Sequence, residues 1–376
     1  MSHTSRQRRH RRLGTAALAL ALGITPMMAP GIAAAGTDPE VAQAAAARPQ
    51  VEEHEGYFTS TDGQGTQIYW HSQQIPNARG TVVVVHGAAE HSGRYDHVAD
   101  RLLDAGYNVY RLDHRGHGKS AAPVVNNPVA RGHIDDFHFL VDDVHQLVEK
   151  AKAENPGKIF MLGHSMGAEA SEFHGIKYPG SVDGYVTNGF GAPLNFSGRR
   201  EAGQLITPDD ITEAQKHLWP SLSEVLPLDQ LTTFNAQLAA QAIPGRTDLR
   251  APSFPGSDRI QPPNVFTGGV ASDPAVSAQY KVDPLVNKTV SLGMTQQLTF
   301  GAIYDAINAD QFTAPTLIMA GDRDGLVPDY FSNDWYNAIS SQDKQLIKWH
   351  GQMHEVFNEP AGDQAMDTVI DWLNKH

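Results

Sequence analysis

The sequence predicts an α/β fold in which a doubly wound, mostly parallel sheet carries an inserted, largely helical cap. Short apolar runs alternate with longer helix-compatible stretches, the order that strands and crossover helices take in such sheets. Two of these runs, 82–85 and 316–319, are almost wholly apolar, as expected of central strands covered by helices on both faces. One long interval, 192–285, breaks the alternation and therefore predicts an insertion.

The predicted elements follow one another in a regular order. Each predicted strand is short and apolar, and each predicted helix is longer and of mixed polarity. The strands are 67–71, 81–86, 107–113, 158–163, 182–188, 315–320 and 345–349. The helices are 95–105, 136–155, 165–178 and 363–374.

The interval that breaks the rhythm divides the core into two parts. We predict a first part at residues 56–191, a cap at 192–285 and a second part at 286–376. The cap is rich in proline and contains helical stretches at 211–226 and 231–243. We expect it to lie over the carboxyl ends of the strands. A chain of 376 residues is long enough for one large core with such an insertion.

The first 35 residues have the pattern of a secretory signal peptide. Five arginines between Arg6 and Arg12 precede an apolar run at 15–24 and the small residues Ala33–Ala35. The alternative is a membrane anchor, but the apolar run is much shorter than the ~20 residues that a spanning helix needs. We expect cleavage near Ala35, a mature protein outside the cytoplasm with no integral membrane segment, and a flexible lead-in at 36–55.

Charge and cysteine content restrict the partners and the source of stability. The chain has a formal net charge of −13, which disfavours nucleic acids and anionic membranes as partners. It has no cysteine, so an exported protein of this sequence must obtain its stability from its core and not from disulfides.

The pentapeptide Gly163–Gly167, of sequence GHSMG, has the pattern of a nucleophile elbow. It follows the apolar run 159–162 and precedes the helix-compatible stretch 168–173. In this strand–turn–helix setting the serine, Ser165, is held on a sharp turn with its hydroxyl exposed. The sequence therefore predicts a serine hydrolase with Ser165 as its nucleophile.

A serine nucleophile needs a histidine base and a carboxylate that orients the histidine. In folds of this kind the acid and then the histidine follow the serine along the chain. Asp322 and Asp324 both follow the predicted strand 315–320, and His354 follows the strand 345–349. These positions lie at strand ends, where active sites of open α/β sheets are found.

An oxyanion hole requires two backbone N–H groups near the serine. One should belong to Met166, the residue after the nucleophile, and the other to the loop that follows the strand 81–86. Gly87 allows a close approach of the backbone in that loop, so we predict Ala88 N–H as the second donor.

Several longer motifs together resemble one known family. Residues 86–95 (HGAAEHSGRY), 113–120 (DHRGHGKS), 280–285 (YKVDPL) and 354–360 (HEVFNEP), together with GHSMG, are similar to monoacylglycerol lipases and the related lysophospholipase-like α/β hydrolases. The resemblance covers most of residues 57–376 outside the cap. The cap is longer than in compact members of that family, and its Pro/Gly-rich stretch at 252–274 does not align with them.

The resemblance implies the α/β-hydrolase fold, no cofactor and a Ser165–Asp324–His354 triad, since the acid of the family is the fourth residue of Gly-x-x-Asp. It also implies that Glu90, His91 and Arg94 bind substrate at the alcohol end of the pocket. The expected substrate is a monoacylglycerol, a lysolipid or a similar small acyl ester. A tunnel for one acyl chain is expected under the cap. Its candidate lining residues are Leu218, Trp219, Leu222, Val225, Leu226 and Phe234, although packing of the cap onto the core explains most of them as well.

Other functions remain open at this point. A peptidase of the proline-iminopeptidase kind and an acyltransferase share the same fold and triad. Eighteen histidines raise the question of a metal site, but no metal-binding motif is present. His138 and His145, which share a predicted helix, are more readily explained as solvated polar positions.

Overall fold

A computed structural model describes residues 50–191, 203–218, 231–264, 266 and 270–376. The predicted signal peptide and most of the predicted lead-in lie outside these residues. The described chain contains eight strands in one sheet. The strands are β1 (Glu52–Thr59), β2 (Gln67–Gln74), β3 (Gly80–Val85), β4 (Tyr107–Leu112), β5 (Ile159–His164), β6 (Gly184–Asn188), β7 (Thr316–Gly321) and β8 (Lys344–Trp349).

The sheet has the order β1-β2-β4-β3-β5-β6-β7-β8. The pairs β1–β2 and β2–β4 are antiparallel, and every other neighbouring pair is parallel. This topology confirms the predicted doubly wound, mostly parallel sheet. It also places β3, β5, β6 and β7 side by side, so that the loops after these strands meet at one edge of the sheet.

Helices connect the strands and cover the sheet. Those of the described core are α1 (Asp96–Asp104), α2 (Phe137–Glu154), α3 (Met166–Lys177), α7 (Leu292–Asn308), α8 (Tyr330–Ala338) and α9 (Gly362–Leu373). In the insertion, the described residues form α4 (Pro208–Leu218), α5 (Thr232–Gln241) and α6 (Pro274–Val282).

Alternating side chains of the central strands enter two separate cores. Val83 and Val85 of β3 belong to the core beneath α2, α3 and α7, whereas Val82 and Val84 belong to the core beneath α1 and α9. All six residues of β3 are buried. Because helices cover both faces of β3, side chains on both faces are buried, which explains the apolar run at 82–85.

Two elements differ from the sequence-based expectations. Strand β1 begins at Glu52, so part of the range 36–55 assigned to a flexible lead-in belongs to the sheet. Helix α7 was not predicted, and all seventeen of its residues are buried. A helix that is buried on every side has no solvent-exposed face, and so its sequence lacks the amphipathic period by which helices are recognised.

The predicted helix 211–226 corresponds to α4 as far as Leu218, and the rest of it lies outside the described residues.

The proline-rich stretch packs on the core: Ser253 N–H donates to Asp135 O at 2.8 Å, and Ser253 Oγ donates to Ile134 O at 2.8 Å. Within the described parts of the chain, no helix is long and apolar enough to cross a membrane.

Candidate active site

Ser165 occupies the turn between β5 and α3. Its backbone has φ 53° and ψ −122°, a left-handed conformation that is strained for a residue with a side chain. Glycines on both sides allow the strand and the helix to approach closely enough to hold this turn. A Cβ on Gly163 would overlap the Gly167 carbonyl, and a Cβ on Gly167 would overlap the Val85 carbonyl. The local geometry is that of a nucleophile elbow.

His354 and Asp324 form a buried pair. The side chains are 3% and 1% exposed, and His354 Nδ1 lies 2.6 Å from Asp324 Oδ2. A carboxylate can only accept, so Nδ1–H is the donor and Nε2 remains available. The other carboxylate oxygen, Asp324 Oδ1, accepts from the N–H groups of Leu326 and Val327, each at 2.8 Å. Asp324 is thus fixed from both sides.

Asp322, the other candidate acid, is directed elsewhere. Its carboxylate accepts from Gly351 N–H at 2.7 Å and lies 2.7 Å from Nδ1 of His350, a side chain that is 98% exposed. The structure therefore brings Asp324, and not Asp322, to His354.

Ser165 and His354 line the same cavity. The wall combines an apolar part with a charged part. Its residues are Gly87, Ala88, Glu90, Arg94, His164, Ser165, Phe266, Val270, Tyr280, Leu326, His354 and Glu355. Phe266, Val270 and Tyr280 come from the insertion, which therefore forms part of the cavity wall.

The two predicted oxyanion donors lie in different elements, and only Ala88 is among the residues that line the cavity. Met166 is the first residue of α3, where a backbone N–H has no partner within its helix. Gly87 N–H donates to Glu90 Oε1 at 2.6 Å, so it is already engaged. The next residue, Ala88, lines the cavity. This arrangement is compatible with donors at Ala88 and Met166.

A charged network forms the polar wall. Arg94 forms a bidentate ion pair with Glu355, with Nη1–Oε1 and Nη2–Oε2 distances of 2.9 Å each. It forms a further ion pair with Glu90. Glu90 also accepts from Tyr95 OH at 2.7 Å. Burial acts to raise the pKa of Glu90, but Arg94, His164, His86 and the hydrogen bond from Tyr95 together outweigh burial and lower that pKa to about 2. Two of the predicted substrate-binding residues, Glu90 and Arg94, thus share a cavity with Ser165.

The third predicted binding residue, His91, is not among the residues that line this cavity. Its Nε2 lies 2.9 Å from Asp283 Oδ2, at the point where the insertion returns to the core. It borders a neighbouring surface groove together with Arg94 and Tyr280. The structure therefore separates His91 from Ser165 and places it at the joint between cap and core.

Two further residues at the site were not predicted. Glu355 follows His354 directly and completes the network around Arg94. Asn188, the last residue of β6, accepts from Ser165 N–H at 2.8 Å, and its amide nitrogen lies 2.8 Å from His164 Nδ1. The only sequence signal for Asn188 is its position at the carboxyl end of a central strand.

The two histidines that were considered in connection with a metal site, His138 and His145, contact other protein groups. His138 Nε2 lies 2.7 Å from Leu249 O, and the His145 ring stacks on Tyr178 with 3.7 Å between ring centres. Both residues are therefore packed and are not simply solvated positions. Asp113 accepts from Ser92 N–H at 2.8 Å and from Lys119 N–H at 2.7 Å, so it braces the loop that continues into Arg94.

Comparisons with known proteins agree with this architecture. Residues 76–361 match the family model described as serine aminopeptidase, S33. The chain is 32% identical over 300 residues to a monoacylglycerol lipase of Mycolicibacterium smegmatis. The alignment covers 79% of this chain and 89% of that protein.

Two solved structures have the same fold. A monoacylglycerol lipase from Paleococcus ferrophilus aligns with a TM-score of 0.58 at 22% identity, covering 86% of this chain and 99% of that one. A thermostable carboxyl esterase from Bacillus coagulans, solved with glycerol, aligns with a TM-score of 0.62 at 23% identity, covering 87% and 99%. The chain therefore belongs to the S33 family and is a monoacylglycerol-lipase-like serine α/β hydrolase, a carboxylic-ester hydrolase.

Proposed function

We propose that this protein is a secreted serine esterase that cleaves monoacylglycerols, lysolipids or similar small acyl esters through a Ser165–His354–Asp324 triad. The observation that carries the proposal is the buried His354–Asp324 pair, which leaves His354 Nε2 available beside the cavity that Ser165 lines. A neutral imidazole oriented by a carboxylate is the base that a serine hydroxyl requires.

In this mechanism His354 takes the proton of Ser165 as Oγ attacks the ester carbonyl. The negative charge that develops on the carbonyl oxygen is stabilised by the N–H groups of Ala88 and Met166. His354 then gives the proton to the departing alcohol, which leaves an acyl-enzyme, and water releases the acid by the same steps in reverse. His354 carries every proton transfer and the backbone N–H groups stabilise the oxyanion, so these steps need no cofactor.

The substrate class is supported by the two kinds of wall around the cavity. Phe266, Val270 and Leu326 offer apolar surface for an acyl chain, whereas Glu90, Arg94 and Glu355 offer charged groups. The name of the Mycolicibacterium smegmatis relative, a monoacylglycerol lipase, favours one acyl chain on a small alcohol. Phe234, one of the predicted tunnel residues, is buried in the insertion but does not line the cavity. The side chains of the other five lie outside the described residues.

Hydrolysis of p-nitrophenyl esters of graded acyl length tests the reaction, and a monoacylglycerol compared with the matching triacylglycerol tests the pocket. Each buried methylene contributes up to ~0.8 kcal/mol of binding, so kcat/KM should rise with chain length until the pocket is full. The monoacylglycerol should be cleaved much faster than the triacylglycerol. Rates that are independent of acyl length would contradict a lipid substrate.

The two alternatives are distinguished in the same assay. An aminopeptidase would cleave aminoacyl p-nitroanilides faster than any ester, a possibility that the S33 family description makes worth testing. An acyltransferase would pass the acyl group to added glycerol in preference to water. In that case acyl-glycerol would form while release of the free acid fell.

Export is tested on the protein isolated from its native source. Amino-terminal sequencing of that protein should begin near Gly36, in a fraction outside the cytoplasm. Recovery of the chain with residues 1–12 intact, in a membrane fraction, would instead favour an anchor.

A further inference from the structure

The polar wall of the cavity contains two carboxylates and one cation. Glu90 and Glu355 are 3% and 6% exposed, and Arg94 lies between them. Arg94 is the only lysine or arginine among the residues that line the cavity in the described part of the chain. The network therefore has a net charge of −1 in a place with little solvent.

The hydrogen bonds of Arg94 leave it little capacity for an anion. Its Nη1 contacts both Glu90 and Glu355, and its Nη2 donates to Glu355. The face of the guanidinium lies over the Tyr280 ring, 4.9 Å from its centre. A phosphate that entered this end of the cavity would meet a cation already paired with two carboxylates.

The charged wall lies on the side where an alcohol must leave. His354 protonates the departing oxygen, so the alcohol half of the ester is next to His354. Glu355 is the adjacent residue and lines the same cavity. Glu355 and Glu90 are also close enough to His354 for both carboxylates to act to raise its pKa.

Carboxylates continue along the groove outside this wall. The groove shares Arg94 and Tyr280 with the cavity, and it is also lined by Asp96 and Asp283. The two carboxylates pair with Arg111 and His91 respectively.

We propose that Glu355, together with Glu90 and Arg94, makes the alcohol subsite anionic, so that the enzyme accepts esters of uncharged and cationic alcohols and rejects esters whose alcohol carries a phosphate. This inference rests on the proposed esterase function and assigns Glu355 as its specificity-determining residue. Within the substrates proposed above, it selects monoacylglycerols over lysolipids with an anionic headgroup.

Two pairs of hexanoyl esters, which differ in charge within each pair, test the proposal. One pair has choline and its uncharged isostere 3,3-dimethylbutanol as the alcohol, and the other has glycerol and glycerol phosphate. Wild-type kcat/KM should be severalfold higher for the choline ester than for its isostere. It should be about tenfold or more higher for the glycerol ester than for the phosphate, since opposed like charges cost several kcal/mol.

Glu355→Gln keeps the shape of the side chain and removes its charge. In this variant both ratios should move towards one, and the acidic limb of the pH profile should move to lower pH, because a carboxylate that raises the pKa of His354 is lost. Glu149→Gln is the matched control, since it changes the net charge equally at an exposed position of α2. It should leave both ratios unchanged.

Unchanged ratios in a folded Glu355→Gln variant would overturn the proposal, as would an equal effect of Glu149→Gln. Faster hydrolysis of esters that carry an amine on the acyl chain, without a preference for esters of a cationic alcohol, would also overturn the proposal. If Glu355→Gln fails to fold, the wild-type ratios decide, because ratios of about one for both ester pairs would overturn the proposal. Hydrolysis of p-nitrophenyl hexanoate that survives Ser165→Ala would instead refute the proposed function.

Discussion

The side-chain amide of Asn188 donates a hydrogen bond to the backbone carbonyl of His354, with 3.1 Å between Nδ2 and O. The backbone carbonyl of Asn188 accepts from Ser165 N–H at 2.8 Å. One residue at the end of β6 therefore joins the serine turn to the histidine loop. The same amide lies 2.8 Å from Nδ1 of His164, the residue before Ser165. Asn188 thus fixes the relative positions of the two proposed catalytic side chains.

We expect Asn188→Ala to lower kcat for p-nitrophenyl esters and to change KM little. A displacement of about 1 Å between reacting groups costs on the order of a hundredfold in rate, and binding of the acyl chain does not depend on Asn188. Thr187→Val is the matched control, because Thr187 is the adjacent buried residue and points to the opposite face of the sheet. A folded Asn188→Ala variant with the wild-type kcat would contradict the positioning role.

The core strands and the order of the triad candidates were predictable from the sequence. β3 and β7 are buried on both faces, so almost every one of their positions is apolar and the pattern is plain. Ser165 is recognisable because its strained turn requires small residues on both sides.

The remaining features depend on contacts that a sequence does not display. Helix α7 is buried on every side, so its sequence shows no division into an apolar and a solvent-exposed face. Asn188 acts partly through its own backbone carbonyl, which every residue possesses. His91 matches a family motif, but its side chain turns to Asp283 of the insertion and away from the cavity, which only the tertiary structure determines.

Ser165→Ala and Ser165→Gly should both lose esterase activity, by on the order of a millionfold if Ser165 acts within a triad. They should differ in stability. The backbone at Ser165 has φ 53°, which glycine adopts without steric strain and alanine does not. We expect the glycine variant to be the more stable by about 1 kcal/mol in chemical denaturation. Equal stabilities would show that the turn is not strained, and retained activity would refute Ser165 as the nucleophile.

Asp324→Asn should be far more harmful than Asp322→Asn. Replacing the carboxylate that accepts from His354 Nδ1 stabilises the wrong tautomer, which costs about 10⁴-fold in kcat in enzymes with this triad. The Asp322 carboxylate accepts from Gly351 N–H and lies next to the exposed His350, away from His354, so its replacement should change kcat no more than severalfold. Single-substitution kinetics with a p-nitrophenyl ester measure both effects. Similar losses in the two variants would contradict the assignment of the acid.

The acidic limb of the pH profile should lie above pH 6.5. Burial acts to lower the pKa of His354, but the charge and hydrogen bond of Asp324, together with the charges of Glu355 and Glu90, outweigh burial, so the pKa is raised above its ordinary value of 6.5. Because His354 must be neutral to accept the serine proton, kcat/KM should be half-maximal above that pH and constant at higher pH. A profile of kcat/KM from pH 5 to 9 measures this. Asp322→Asn should leave the midpoint in place, whereas a wild-type midpoint below 6.5 would contradict the effect of Asp324.

Three acids, Glu169, Glu172 and Asp305, lie in the interior between α3 and α7. All three are fully buried, and no ion pair to a cation is found for them among the described residues. The carboxyl oxygens of Asp305 also have no hydrogen-bond partner there. Burial raises the pKa of Asp305 well above its ordinary value, and the two glutamates add to the effect. The folded protein therefore keeps the protons on these groups up to a higher pH than the unfolded chain does.

This difference destabilises the fold as pH rises. Below about pH 4 both states hold the protons and nothing is lost, but above it the unfolded chain releases protons that the folded protein retains. Asp305→Asn removes one such group while keeping its size. We expect its thermal midpoint to exceed that of the wild type by an amount that grows from pH 5 to 8 and vanishes near pH 4. Asp371→Asn, at an exposed position of α9, should show no such pH dependence. A constant difference between Asp305→Asn and the wild type across this range would show that the buried carboxyl is already ionised in the folded protein.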